Sequence, residues 1–283
     1  MRFKTIYILT ENLNFFYKIN NGLKDKRVQF RILTFWDKIP NIPSVILTTA
    51  KESSQIEIVN KDTNLLEFID GDDINQYILK VLAVFRLGYQ DYDNLIFSID
   101  PGLNHIGIVV FLDDYFFDSS TLTDNSQVIN YIKKYYDSIQ QDNTNPLSLG
   151  IKIGRGLLET TQNLVNRAFS TFSNILNMKV CLIDESNTSK IKISFLGKKF
   201  PKHEAAALIL SFREGLDVNY QNYRTKFETN KTNSLNRELL SRYIESYTKD
   251  YVVIFSKIAE EVIMGGKTLT ESIKLIQNLI NFE

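Results

Sequence analysis

The stretch that decides the fold runs from Leu95 to Asp114 and reads LIFSIDPGLNHIGIVVFLDD. It contains two apolar runs, each typical of a buried strand, joined by a short segment that begins with Pro101 and Gly102. Asp100 closes the first run. Because a charge at the end of a buried strand needs a partner or a metal ion, this aspartate indicates either a functional site or only a turn.

Composition excludes several classes of protein. The 283 residues are enough for one large domain or two ordinary ones, and a 43% hydrophobic content is typical of a globular core. Lys plus Arg and Asp plus Glu both total 33, so net charge neither indicates nor excludes nucleic acid. The single cysteine, Cys181, lies in an apolar strand candidate and excludes a disulfide framework. With no segment resembling a signal peptide or membrane span, we expect a cytoplasmic protein without membrane association.

Hydrophobic periodicity divides the chain into three regions. Residues 1–90 predict a small α/β domain, with strands over 5–9, 28–33, 44–49 and 55–59 and helices over 13–23 and 74–88. No glycine-rich phosphate loop follows the first strand, which favours a docking or regulatory module.

Residues 91–216 predict three consecutive strands, then helix, strand, helix, strand and helix. This order is that of an α/β fold with a five-stranded mixed sheet, flanking helices, and a second strand antiparallel to its neighbours.

The third region, 217–283, predicts a C-terminal helical hairpin. Its apolar residues recur every three or four positions and define a seam of seven side chains: Leu240, Ile244, Tyr247, Tyr251, Ile254, Ile258 and Val262. Thr268 and Glu271 form a capping box for the last helix. The seam packs either on the protein's own core or on a second copy, so a homodimer is one expected assembly.

Four segments of the central region carry a family resemblance: IDPGLNHIG from residue 99, LGIKIGRG from 149, IDESNTSK from 183 and KHEAAALIL from 202. Taken in this order, they resemble the RNase H-like superfamily, in particular its RuvC Holliday-junction resolvase and YqgF branch, over about residues 92–216. The resemblance implies an RNase H-like fold and a nuclease that acts on nucleic acid, such as branched DNA. It also implies Mg²⁺ or Mn²⁺ bound by clustered carboxylates.

The resemblance also implies particular site residues. The implied catalytic residues are Asp100, Glu185, His203 and Glu204. The implied metal ligands are Asp100, Asp184 and Glu185. Some resolvase-like enzymes resemble this chain in having a histidine at the start of the last helix.

The chain departs from the family pattern at two positions. Lys152-Ile153-Gly154 stands where resolvases have a glutamate at the end of the fourth strand, and Ala206 stands where an aspartate is expected. Lys152 near the site would repel a divalent ion. Glu159 replaces a missing ligand only if its helix start faces Asp100. Two hypotheses therefore stay open: a weakened metal-dependent nuclease, and a catalytically silent scaffold or protein-interaction module on the same fold.

A run of lysines indicates a nucleic-acid partner in both hypotheses. The lysines of residues 190–202, together with the arginine of the glycine loop, are the predicted phosphate contacts: Arg155, Lys190, Lys192, Lys198, Lys199 and Lys202. Such contacts carry no sequence information, and from the resemblance we expect DNA rather than RNA. The segment MGGKT, residues 264–268, resembles the end of a phosphate-binding P-loop. An actin-like ATPase is nevertheless disfavoured, because Glu261 stands where that loop has its first glycine.

Overall fold

The computed structural model describes residues 5–88, 91–185, 188, 191–195, 197–223 and 249–281. The chain forms two compact units. The first comprises Met1–Asp91 with Asp137–Thr144, and the second comprises Tyr92–Tyr136 with Asn145–Glu283. Lys190 lies outside the described residues, as do Leu240, Ile244 and Tyr247 of the predicted seam.

The first unit contains β1 (Thr5–Leu9), α1 (Leu13–Asp25), β2 (Phe30–Leu33), β3 (Ser44–Thr49), β4 (Asn64–Phe68) and α2 (Ile74–Leu87). Its four strands form a parallel sheet in the order β2-β1-β3-β4. The Asp73 side chain caps the start of α2, and Gly88, at a φ of 97°, ends it.

One strand prediction in this unit is wrong. Residues 55–59 form no strand, because a short 3₁₀ turn over Ser53–Gln55 leads into irregular chain. The fourth strand is Asn64–Phe68, in which Leu66 and Phe68 are buried in alternation with an exposed Glu67.

The second unit contains a six-stranded mixed sheet formed by β5 (Asn94–Asp100), β6 (Ile106–Leu112), β7 (Tyr115–Leu122), β8 (Ser148–Gly154), β9 (Met178–Ile183) and β12 (Leu216–Val218). The order of the strands in this sheet is β12-β9-β8-β5-β6-β7. A separate hairpin joins β10 (Ser194–Phe195) to β11 (Lys198–Lys199). The sheet therefore has one strand more than predicted, since β12 pairs antiparallel with β9 at its edge.

The opening hairpin forms as its sequence predicts. β5 and β6 pair antiparallel, with Asp100 opposite Gly107. Asp113 and Asp114, both at positive φ, make the tight turn into β7. β8 pairs parallel with β5, and β9 pairs parallel with β8. Five neighbouring strands thus lie in the order β7, β6, β5, β8 and β9, and among them β6 alone is antiparallel to the others.

Helices cover both faces of this sheet: α3 (Ser126–Gln140), α4 (Leu158–Thr171), α5 (Lys202–Ser211), α6 (Lys249–Ile263) and α7 (Leu269–Asn281). The hydroxyl of Ser98 donates to the carbonyl of Ala207 at 2.7 Å, which fixes α5 on one face. On the other face, Phe97 and Phe117 pack edge-on against Tyr135 of α3. Among the described residues, no helix is both long and apolar enough to cross a membrane.

The two C-terminal helices pack on the core of the second unit. Ile258 and Val262 of the predicted seam are buried in the same apolar cluster as Val109, Phe111 and Leu208. The predicted capping box is confirmed: Thr268 N–H donates to Glu271 at 2.8 Å, and Glu271 N–H donates to the Thr268 hydroxyl at 3.1 Å. This part of the seam is therefore filled intramolecularly, and the homodimer stays a prediction.

The burial pattern of α6 predicts unequal effects of two identical substitutions. Val262→Ala removes two methyl groups from a side chain with 0% exposure and should lower the free energy of unfolding by about 2 kcal/mol. Val253→Ala, on the same helix but 65% exposed, should change it by less than about 0.5 kcal/mol. Urea unfolding followed by circular dichroism compares the two. Equal effects would show that α6 does not pack as described.

Candidate functional site

The candidate site lies where three parallel strands end side by side. β5 ends at Asp100, β8 at Gly154 and β9 at Ile183. The carboxyl ends of neighbouring parallel strands share one edge of a sheet, and this edge is where α/β proteins bind ligands. The segment after β9 adds Asp184 and Glu185 to this edge.

Asp100 is the central carboxylate. Its side chain is 14% exposed, and its Oδ2 lies 3.6 Å from Nδ1 of His203 on the first turn of α5. Burial raises the pKa of Asp100, against the opposing effects of His203 and of the positive charge on Lys202. The structure therefore brings the predicted catalytic pair Asp100 and His203 together.

Two glycines of the opening hairpin allow this proximity. A Cβ atom on Gly107 would collide with the carbonyl oxygen of His203, so β6 and the start of α5 touch through their backbones. A Cβ atom on Gly102 would collide with the carbonyl oxygen of His105, which makes the hairpin loop compact. The lack of a side chain at these two positions would also leave room for a phosphate. In the structure, the protein's own backbone occupies that space.

Glu185 lies in a cradle made by the glycine loop. Cβ atoms on Gly154 and Gly156 would each collide with its carboxylate, so only glycines leave room for it. Among the described residues, its buried Oε1 has no hydrogen-bond partner. Burial is the main cause that raises the pKa of Glu185 to about 7; the charges of Asp100 and Asp184 add to it, while the Gly156 N–H and Arg213 oppose it.

Asp184, beside Glu185, faces a different set of groups. Its Oδ2 lies 3.9 Å from the guanidinium of Arg155, and its backbone carbonyl accepts a hydrogen bond from Arg213 at 2.7 Å. Arg155, predicted to contact phosphate, thus lies at this edge but is shared with a carboxylate. Arg155 offsets the charge of Asp184, and Arg213 offsets part of that of Glu185.

Glu204 turns away from this edge. It is 2% exposed, and its carboxylate accepts hydrogen bonds from Ser119 at 2.6 Å and Thr121 at 3.1 Å, both on β7. This predicted catalytic residue therefore fastens α5 to the edge strand, one position after His203.

Lys152 does not point toward Asp100. Its ammonium donates to the carbonyls of Ser211 at 2.6 Å and Arg213 at 3.1 Å, at the end of α5 opposite His203. Burial lowers the pKa of Lys152. A helix of ten residues spans about 15 Å, so the repulsion of a metal ion expected from this lysine is weak.

The described lysines of the basic run lie in the segment that leads into α5 and on its first residue. Lys192, Lys198, Lys199 and Lys202 are exposed, and none pairs with an acid within the described ranges. Helix α6 anchors the hairpin that carries them, because Ser256 donates to the carbonyl of Lys192 at 2.6 Å and Glu260 accepts from Ser194 N–H at 3.2 Å.

Asp100, Glu185 and His203 are thus brought to one edge, with Asp184 and Arg155 beside them. In the part of the chain that the structure describes, no three His, Cys, Asp or Glu side chains are grouped closely enough to hold a metal ion. Glu159 is exposed on the first turn of α4. Sequence reasoning missed His105, whose ring centroid lies 5.3 Å from that of His203. Its rarity would have indicated His105 as a candidate site residue, since the chain has only two histidines.

Comparison with known proteins adds no family assignment. No protein-family model matches the chain, and a search of curated proteins finds none that is similar to it in sequence. The functional argument therefore depends on the residues of this site and on the arrangement of the strands that carry them.

The raised pKa of Glu185 predicts a pH-dependent stability. The folded value of about 7 exceeds the ordinary 4.5, so its stabilising contribution is full below about pH 4.5 and is lost as pH rises through about 7. The free energy of unfolding should therefore fall by about 1–2 kcal/mol between pH 5 and 8, a figure reduced for partial solvent exposure.

Glu185→Gln keeps the shape of the side chain and should remove most of this pH dependence, as measured by urea unfolding at several pH values. Glu159→Gln, at the exposed glutamate of the same unit, is the matched control and should retain it. An unchanged pH dependence in Glu185→Gln would mean that this carboxylate is not desolvated in the folded protein.

Proposed function

We propose that this chain is an RNase H-like protein of the RuvC and YqgF type, which binds nucleic acid and hydrolyses its phosphodiester bonds with the help of a divalent metal ion. Five strands of the mixed sheet, of which the second, β6, is antiparallel to its neighbours, support this proposal because the resemblance implies a five-stranded mixed sheet of this kind. Asp100, the last residue of β5, occupies the position at which the resemblance implies a strand-end acid.

The observation that carries the proposal is that Asp100 and Glu185 lie at one edge of the sheet. Burial is the main cause that raises the pKa of Glu185, and the charge of Asp100 adds to it. Among the described residues, one buried oxygen of Glu185 has no hydrogen-bond partner. Repulsive, partly buried carboxylates are unfavourable unless a cation or a proton joins them. Perturbed acids at a ligand-binding edge are typical of functional sites.

Glu185 also compensates for one departure from the family. The resemblance implies an acid at the end of the fourth strand, where this chain has Gly154. The carboxylate of Glu185 lies so close above Gly154 that a Cβ atom there would collide with it. Glu185, in the segment after β9, would thus place a carboxylate where the end of β8 lacks an acid.

The donor set fits Mg²⁺ or Mn²⁺ in one respect: both side chains offer hard oxygen atoms, and Mg²⁺ is commonly held by one or two carboxylates, waters and substrate phosphates. Asp100 and Glu185 would hold the ion. When bound, it activates a water molecule and stabilises the leaving oxygen of the phosphodiester. His203 orients Asp100, while Lys198, Lys199 and Lys202 attract the backbone phosphates.

A catalytically silent binding protein is the second candidate. It is favoured by the placement of Glu204, which bonds to β7 instead of the site, and by Ala206, which leaves the expected aspartate position without an acid. Nucleic-acid binding through the lysines is common to both candidates, so only a cleavage assay separates them.

Asp100→Asn tests catalysis, because it keeps the side chain's shape and removes its charge. Cleavage of four-way junctions, flaps and single strands with Mg²⁺ or Mn²⁺ should slow by at least about a hundredfold, or roughly 3 kcal/mol of transition-state stabilisation. Asp93→Asn, at the exposed acid just before β5, is the matched control and should cleave normally. Cleavage by Asp100→Asn at the native rate would reject the site, and no cleavage by the native protein with binding intact would establish the silent candidate.

The lysine hairpin is tested by salt dependence. Replacing Lys198 and Lys199 by alanine should weaken binding to duplex DNA and reduce the slope of log K against log salt by about 0.9 for each phosphate that the variant no longer neutralises. Alanine at Lys179 and Lys274, exposed elsewhere on the same unit, should leave the slope unchanged. Fluorescence anisotropy at several salt concentrations measures both pairs. Equal slopes in the two double variants would assign the hairpin lysines to solvent.

A further inference from the structure

The free edge of the first unit's sheet carries an exposed aromatic side chain. β2 is an outer strand of this sheet, since it pairs with β1 alone. Trp36, the single tryptophan of the chain, follows β2 and is 94% exposed. Tryptophan is among the side chains most enriched where binding energy is concentrated, so this residue is a candidate contact for a partner.

A hydrogen-bonded turn presents Trp36 to solvent. The N–H of Asp37 donates to the carbonyl of Thr34 at 3.0 Å, and the N–H and hydroxyl of Thr34 donate to the Asp37 carboxylate at 2.7 and 2.8 Å. Phe35, the residue before the tryptophan, packs inward on an apolar cluster of the sheet. The indole is therefore held outward before any partner binds, which reduces the entropy lost on binding.

Two cations lie on the same side of the unit as the tryptophan. Leu33 and Ile39 pack on the same apolar cluster as Phe35. Because side chains alternate along a strand, Arg31 lies on the face of the sheet that Leu33 covers. Arg31 and Lys38 are both exposed, and within the described ranges neither pairs with an acid.

The charge of this region favours a polyanion as the partner. Residues 18–38 include six lysines and arginines and only two aspartates, in a chain whose net charge is zero. One of the two acids, Asp37, is already bonded to Thr34. A local excess of positive charge attracts phosphate backbones even where the whole chain is neutral.

The usual ligand position of such a sheet is already filled. With the strand order β2-β1-β3-β4, this position is the crevice between the carboxyl ends of β1 and β3. The Glu52 carboxylate lies there and accepts hydrogen bonds from the hydroxyls of Thr10 and Thr49, both at 2.6 Å, and from the N–H of Glu11 at 2.7 Å. A small anion would have to displace this acid, so the surface around Trp36 is the stronger candidate.

We propose that the first unit binds single-stranded nucleic acid along its β2 edge, with a base stacked on Trp36 and backbone phosphates on Arg31 and Lys38. Aromatic rings flanked by cations bind single strands in this way, because every base has a face that can stack. Bases in a duplex are already stacked on one another, and an acidic peptide backbone offers the indole no base to stack on. The inference goes beyond the proposed function, since it concerns a separate unit and depends on neither Asp100 nor a metal ion.

The single tryptophan makes the test specific, because selectively excited tryptophan fluorescence reports on Trp36 alone. The full chain is titrated in EDTA with oligothymidine, with a duplex of the same length, with polyglutamate and with vesicles of anionic phospholipid. Oligothymidine should quench the Trp36 emission to saturation, and the other three probes should quench it less. The quenching should persist in the Lys198→Ala, Lys199→Ala double variant, whose substitutions lie on the second unit.

Substitutions in that double variant measure the contribution of the β2 edge. Trp36→Ala should weaken oligothymidine binding, followed by anisotropy, about tenfold, as expected for the loss of one base–aromatic stack, and Trp36→Phe should retain most of it. Tyr17→Ala, at a residue of α1 that is 68% exposed, is the matched control and should bind normally. Arg31→Ala with Lys38→Ala should reduce the slope of log K against log salt by about 0.7 for each lost phosphate contact.

The outcomes separate this inference from the proposed function. If oligothymidine binds without changing the Trp36 emission, or if Trp36→Ala binds as tightly as Tyr17→Ala, the inference is wrong and the proposed function is unaffected. Quenching by polyglutamate or by vesicles but not by oligothymidine would assign the surface to another class of partner and overturn the inference. If oligothymidine quenches Trp36 while the native protein cleaves no substrate, the inference stands and the proposed catalysis fails.

Discussion

The close approach of β6 to α5 at Gly107 is the contact on which the site depends. Asp100 pairs across the hairpin with Gly107, and Gly107 touches the carbonyl of His203. Backbone contacts thus set the positions of Asp100, Gly107 and His203 relative to one another. Ser98 and Glu204 hold the same helix from two sides, through Ala207 and through β7. Any side chain at position 107 would push α5 away and separate the two functional groups.

The electrostatics of the edge follow from this geometry. Glu185 and Asp100 are both partly buried, and each is less stable as an anion than it would be in water. Arg155 offsets part of the charge of Asp184, and the charge of Arg213 opposes the rise in the pKa of Glu185. This offset is incomplete, since the pKa of Glu185 still rises to about 7. The negative charge that is not offset favours the binding of a cation or a proton at this edge.

The sequence predicted what depends on local chemistry. Alternation and turn residues located the β5–β6 hairpin and Asp100 at its end, and the capping box located the start of α7. The sequence did not predict the directions in which the side chains point. His203 and Glu204 are neighbours on a helix, so their side chains point about 100° apart, and only the fold decides which one meets Asp100. Lys152 was misjudged for a similar reason, because its position along the sheet does not tell which end of α5 its long side chain reaches.

Under the proposed function, the two departures from the resemblance have different weights. Gly154 leaves the space that Glu185 fills, so Glu185 would take the place of the acid expected there. Glu204 would not replace the acid expected at Ala206, since it is held by Ser119 and Thr121 on β7. Under the proposed function, the two carboxylates Asp100 and Glu185 would suit one metal ion completed by water and phosphate rather than two ions held by protein. If the site is active, its chemistry therefore depends on the substrate to complete the metal shell, which links metal affinity to nucleic-acid binding.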